Sequence, residues 1–216
     1  TLSPPGGAGP VRGPVASTFV LTPLQKGFLA ESLVASDKGV NIEQIVWKLD
    51  HVPDPDRFRA AWQSALDAFD ALRVSFAWSG SGGEPRQSIV PSVRLPFQRV
   101  DWPEQLSTQP DHRLASFLAQ DRRAGLDLSS APLMRVSLLV LARCRAVCVW
   151  TVHHAIIDGN SYAAVLQHVL DHYAPLLGLA QVPGDARPPF TDFLRWLERH
   201  DSEPGTRHFA DLLRDF

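Results

Sequence analysis

The chain has 216 residues, 44% hydrophobic and 20% charged, with a formal net charge of −2. A chain this long can bury a sizeable core in one large or two small domains, and its near-neutral charge gives no electrostatic reason to expect nucleic acid as a partner. No apolar run approaches the roughly 18 residues that span a bilayer. Residues 1–16 hold four prolines and four glycines without an apolar period. They read as a semi-extended linker, and with no apolar centre they do not look like a secretion signal, so a cytoplasmic location is expected. Thr22 and Pro23 then cap and open a helix running to Leu33. Asn41–Asp50 alternates apolar and polar residues as a half-buried strand does. Asp54-Pro55 opens a second helix with Phe58, Ala61, Trp62, Ala65, Leu66 and Phe69 on one face.

Arg73–Trp78 predicts a strand, Ser79–Gly83 a loop, and Gln87–Val90 and Phe97–Val100 two short strands. Asp111–Gly125 predicts a helix closed by its glycine. Met134–Leu141 and Ala146–His153 form the pattern of an antiparallel hairpin whose strands are apolar on nearly every residue, so both faces of that sheet are expected to be covered. Ser161–Leu177, Thr191–His200 and Thr206–Phe216 predict three more helices. Helices interleave with strands, so the class is α/β or α+β.

Cys144 and Cys148 are the only cysteines. Their spacing makes a poor zinc site, and a disulfide across a hairpin of this length is not expected. Cys148 reads as a small core residue and Cys144 as part of a turn. His168 and His172 share a helix face but find no third metal ligand, so a solvated pair is the plainer expectation and no metal is expected. Tyr162 and Gln167 acquire no role.

The stretch that carries chemistry is His153-His154-Ala155-Ile156-Ile157-Asp158-Gly159. It follows a β-branched run, which places an imidazole at the end of a buried strand, where a general base is both rigid and reachable. On extended backbone the two side chains point to opposite faces, so they do not share an ion. One histidine is expected to turn inward as structure, and His154 is expected to face a cleft.

This His-His-x-x-x-Asp-Gly pattern resembles the signature of nonribosomal peptide synthetase condensation domains and related chloramphenicol acetyltransferase-like acyltransferases. Leu21-Thr22-Pro23-Leu24-Gln25-Lys26-Gly27-Phe28-Leu29 resembles the family's opening motif, Ala71–Phe76 its Leu-Arg motif, and Phe190–Trp196 its fourth motif, all in family order. The chain departs from the family at Phe69-Asp70, where Arg-His is usual, at Val74, where Thr is usual, and at Asn160. The resemblance implies a chloramphenicol acetyltransferase-like lobe, a largely antiparallel sheet flanked by helices. It implies residues 1–16 as linker and 17–216 as the N-terminal lobe of a condensation domain, since the family's later motifs have no counterpart in this chain.

The resemblance also implies amide bond formation between donor acyl or peptidyl and acceptor aminoacyl thioesters. Those groups ride on the phosphopantetheine of upstream and downstream carrier proteins, and the lobe itself binds no cofactor. His154 takes the catalytic role, either as general base or by positioning the amine and stabilising the tetrahedral intermediate, while His153, Asp158, Gly159 and Arg73 are structural. Because the family pairs its second-motif arginine with the aspartate, Arg73 is the expected partner of Asp158. Gly159 is expected to allow the turn into the next helix and keep space for the pantetheine arm, and that helix's N-terminus to add a positive field. Trp196 is expected to pack. The C-terminal lobe is an expected partner and the isolated lobe is expected to be inactive. An epimerization lobe and a carrier-docking lobe without catalysis are the alternative readings.

Overall fold

The computed structural model describes residues 17–35, 39–78, 83–102, 110–141, 145–176, 178, 180, 188–200 and 203–214. The expected linker, residues 79–82 of the expected loop, and Cys144 lie outside the described residues.

The larger sheet is built around β7 (Ala146–His153), every residue of which is buried. It pairs antiparallel with β2 (Ile42–Leu49) on one side and with β6 (Met134–Val140) on the other. Strand β5 (Phe97–Asp101) adds to β6 in parallel, giving the order β2-β7-β6-β5. The expected hairpin is therefore present, with Met134 opposite Val152. Both faces of β7 are covered, as its continuous apolar run requires. Cys148, Trp150 and Val152 meet the main core, with Trp62 and Leu66 of α2 (Pro55–Ala68) and Val165 and Val169 of α4 (Gly159–Leu176). Val147 and Val149 project to the other face, against Leu114, Phe117 and Leu118 of α3 (Pro110–Ala124). Gly125 follows α3 with φ 68°, the left-handed cap its position predicts.

A second, smaller antiparallel sheet has the order β1-β4-β3, from Ser17–Val20, Arg86–Ile89 and Val74–Ala77. The periodicity of the sequence does not predict β1. Four residues are too few to show a period, and this strand is defined by its pairing with β4. Arg73 ends a 3-10 turn, Asp70–Arg73, rather than starting β3.

Helix α1 (Pro23–Val34) opens with a reciprocal capping box: the Thr22 hydroxyl accepts from the Gln25 backbone N–H, and the Gln25 side chain accepts from the Thr22 N–H. Helix α5 (Phe190–Arg199) is tied to the 3-10 turn by Asp70, whose carboxylate accepts from the backbone N–H groups of Phe190 and Thr191. Asp70, just ahead of the second motif segment, thus ties it to the fourth. Within the fourth, Leu194 is the buried anchor, while Trp196 is 49% exposed and stacks on Phe193 and His200. Leu194, not Trp196, reaches the core, because the tryptophan faces outward on an amphipathic helix. Helix α6 (Glu203–Leu212) buries none of its residues. Among the described residues no helix is long and apolar enough to cross a membrane.

Candidate active site

Alternation along β7 decides where the first histidine goes. Val149, Thr151 and His153 share one face, so His153 turns towards α3 and is 2% exposed. β7 ends there, and His154 begins a 3-10 turn, His154–Ile156, which lifts it off the strand. The two rings diverge as expected, through this change of backbone rather than through simple strand alternation.

Both nitrogens of His153 are engaged. Nδ1 accepts the backbone N–H of Ala155 at 3.1 Å, so in the neutral ring the proton sits on Nε2, 3.2 Å from the Ser32 hydroxyl. Burial, helped by the neighbouring His154, lowers its pKa to about 4. A neutral ring with its lone pair already used is a structural group.

His154 is half-buried and differently held. Its Nδ1 lies 2.8 Å from the carbonyl oxygen of Ile157. A carbonyl only accepts, so Nδ1 carries a proton, and in the neutral ring the lone pair is therefore on Nε2. No described residue bonds to Nε2. The ring stacks on Phe28 of α1, centroids 4.9 Å apart and 20° from coplanar. The ring is thus held at Nδ1 and on one face, with Nε2 turned away from the Ile157 carbonyl.

Helix α1 supplies most of the remaining contacts. The buried Gln25 amide donates to the Ala155 carbonyl at 3.2 Å and exchanges hydrogen bonds with buried Gln87, which also donates to the Val20 carbonyl. Gln25 and Phe28 belong to the opening motif, whose Thr22-Pro23 pair made the helix start legible. Ser32, Asn41 and Gln87 gave no sequence signal, because their partners lie on other elements.

Asp158 and Arg73 do not pair. Asp158 is exposed, and its carboxylate accepts from the backbone N–H of Ser161 at 2.9 Å and from the Ser161 hydroxyl at 2.7 Å. That is an N-cap on α4, and the Ser161 bonds hold the carboxyl below its ordinary pKa. Arg73 instead donates to the carbonyls of Val90 at 3.1 Å, Leu66 at 2.7 Å and Asp67 at 2.5 Å, closing the turn after α2. The expected ion pair fails because each group finds partners near its own backbone. The positive field expected at the α4 N-terminus is met locally by the Asp158 carboxylate. Gly159 is the first residue of α4; its φ is not in the left-handed region, so the turn does not require glycine. A Cβ there meets nothing within 4 Å, and open space lies in front of it.

A cavity of about 370 Å³ adjoins the pair, with Ser32, Val40, Trp78, Leu126, Leu128 and His153 among its walls. Of the two histidines, His153 lines this cavity, because it shares the α3 face of β7. Behind this wall Asp121, 8% exposed, accepts from Arg135 at 2.6 Å, Thr151 at 2.6 Å and Gln44 at 2.7 Å. Burial would raise the Asp121 pKa, but the hydrogen bonds from Arg135, Thr151 and Gln44, with the Arg135 charge, lower it overall.

Groups away from the pair have local partners. Cys148 is buried and its thiol is pushed up to about 12 by burial, which makes it inert. His168 meets the Ser64 hydroxyl and stacks on His172 at 3.9 Å, so the two rings are packed rather than merely solvated. Tyr162 packs edge-on against Trp150, and burial pushes its hydroxyl up to about 12.

Comparison with known proteins bears on the family and the fold. The family model described as "Condensation domain" matches residues 15–209. A linear gramicidin synthase of Brevibacillus parabrevis is 34% identical over 202 residues, covering 94% of this chain and 4% of the relative. Bacitracin synthase 1 of Bacillus licheniformis is 28% identical over 207 residues, covering 94% of this chain and 4% of the relative. Among solved structures, the starter condensation domain of rhizomide synthetase RzmA superposes with a TM-score of 0.73 at 22% identity, over 85% of this chain and 45% of that one. The first condensation domain of the CDA synthetase gives 0.75 at 18% identity, over 94% and 50%. The chain therefore spans a small part of the curated synthetases and about half of the solved domains. Its fold is the expected chloramphenicol acetyltransferase-like arrangement of helices on a largely antiparallel sheet, and the chain belongs to the condensation-domain family.

Proposed function

We propose that this chain is the N-terminal lobe, residues 17–216 following a linker, of a nonribosomal peptide synthetase condensation domain, and that His154 is its catalytic residue. In this reading the complete domain joins a donor acyl or peptidyl thioester to an acceptor aminoacyl thioester, each presented on the phosphopantetheine of a carrier protein. The observation that carries the assignment is the fixed tautomer of His154, with Nδ1–H held by the Ile157 carbonyl and the Nε2 lone pair unbonded.

The acceptor amine attacks the donor carbonyl carbon, forming the C–N bond of a tetrahedral intermediate. Nε2 of His154 accepts the proton the nitrogen sheds. Collapse breaks the C–S bond, and the departing thiolate takes that proton from the imidazolium, so charge and atoms balance. The α-amine has an ordinary pKa of about 8, so it is partly neutral before it binds and much of the gain comes from positioning. The second half of the domain supplies the opposite wall of the cleft in front of His154, and the lobe alone is inactive.

The test uses the complete domain with loaded donor and acceptor carriers and follows the amide product by mass spectrometry. The wild type forms amide, and His154→Ala, shown to be folded by circular dichroism, loses it by a factor on the order of a hundred or more. Full activity in that variant would remove the catalytic role. Exchange of the α-proton without amide formation would replace this reading with epimerization, and carrier binding without either would leave a docking lobe.

A further inference from the structure

Asn41 lies between α1 and the start of β2, outside all four motif segments, and nothing in its sequence context marks it. It is the sole non-glycine with positive φ, 58°, among the described residues. Asparagine tolerates this left-handed backbone better than other residues with a Cβ. The conformation places its backbone and side chain against different parts of the histidine pair.

The Asn41 carbonyl accepts the backbone N–H of His154 at 2.8 Å. The side-chain amide nitrogen lies 3.1 Å from the Ser32 hydroxyl oxygen, 3.3 Å from the Phe28 carbonyl and 3.2 Å from a Glu31 carboxylate oxygen. Ser32 in turn bonds Nε2 of His153, and the Phe28 ring lies on His154. One residue therefore holds the His154 backbone, the main chain beneath the ring that stacks on His154, and the hydroxyl that fixes His153. An amide NH₂ suits this place because all three groups it faces can accept a hydrogen bond, and an aspartate there would oppose them.

We propose that Asn41 is a positioning residue for the His154 chemistry: it locks α1 to the histidine turn, so that the His154 ring is held by its Phe28 and Ile157 contacts in one orientation and one tautomer. Asn41 touches no substrate and acts through His154. The inference rests on the catalytic reading of His154 given above.

Asn41→Gly is the informative variant, because glycine accepts the left-handed backbone and deletes only the amide. In the complete domain, kcat for amide formation falls about ten- to a hundredfold, the range that misplacement of a reacting group produces, while KM for both carriers stays within about twofold. Nitrogen-15 histidine NMR gives a second readout that does not depend on activity. In the wild type, His154 shows separate resonances for a protonated Nδ1 and an unprotonated Nε2; in Asn41→Gly they move towards the average of the two tautomers. Should Asn41→Gly not fold, Asn41→Asp retains the shape and left-handed tolerance while reversing the donor, and the same two changes are expected.

Wild-type kcat with unaltered His154 resonances overturns the inference, as does a loss confined to KM. His154→Ala, run alongside, separates the two claims. If that variant keeps full activity, the catalytic reading fails whatever Asn41 does. If it is inactive while Asn41→Gly matches the wild type, only the positioning role fails.

Discussion

The two ends of the signature are built by different rules. The histidine end, residues 153–155, is held from three elements distant in sequence: Gln25 and Ser32 on α1, Asn41 ahead of β2, and Gln87 on β4 through Gln25. The Asp-Gly end is exposed, and its carboxylate bonds to a residue three positions on. Seven adjacent residues thus contain one device that needs the whole lobe and another that one helix turn supplies. The difference teaches that a contiguous motif need not be one structural unit, and that its members should fail separately.

The largest effect is expected furthest from the signature, at the buried support of the histidine strand. Arg135→Ala leaves the Asp121 carboxylate facing Thr151 and Gln44 without its cation, and breaking a buried pair from one side costs about 3–5 kcal/mol. Urea unfolding of the complete domain checks it. A cost under about 1 kcal/mol, the size of a surface pair, would show that Asp121 is solvated and that the histidine end is less embedded than it looks.

Acid should then separate the supports in order. His153 has a folded pKa of about 4 against an ordinary 6.5. Between those values the unfolded chain binds a proton that the folded chain refuses. The His153 contribution is therefore complete above pH 6.5 and drains away as pH falls towards 4, by at most about 3 kcal/mol. Asp121 has the opposite chemistry and a lowered pKa, so its contribution persists through that window and is lost only below the ordinary carboxylate value of 3.8. Stability against pH, compared between wild type and His153→Gln, reads the first step directly: the curves converge from pH 6.5 to pH 4. Parallel curves there would mean that His153 titrates normally.

The histidine end was only partly legible in the sequence, for a physical reason. Its apolar strand, the Thr22-Pro23 helix start and the His-His-x-x-x-Asp-Gly spacing are local patterns, and local patterns survive in a linear reading. The contacts of Asn41, Ser32 and Gln87 depend on tertiary proximity, and a lone polar residue announces no such partner. The same limit misplaced Arg73. The family resemblance, not a local pattern, supplied Asp158 as its partner, yet three carbonyls satisfy the guanidinium and two groups of Ser161 satisfy Asp158. Strand β1 escaped because pairing, not composition, defines it. The fold as a whole was readable since its long helices and the central hairpin carry strong periodic signals.

Asp158→Ala tests the independence of the Asp-Gly end. Losing an exposed N-cap costs about 1 kcal/mol, so the variant should fold with a slightly lower urea midpoint. The His154 and His153 resonances should be unchanged. Insoluble protein would restore a long-range partner for Asp158, such as one from the other half of the domain, and would reconnect the two ends.

Gly159→Ala is expected to have the smallest effect on stability and to say most about function at that end. The φ is ordinary and an added Cβ meets open space, so nothing in the lobe resists it, and alanine is the better residue inside a helix. The melting temperature should be equal or slightly higher. If the open space is where the pantetheine arm passes, the methyl group intrudes on that path, and KM for the loaded carriers rises while folding is untouched. Kinetics that match the wild type would remove the pantetheine role from Gly159. The aspartate would then be the only member of this end with work to do, and that work would be holding a helix.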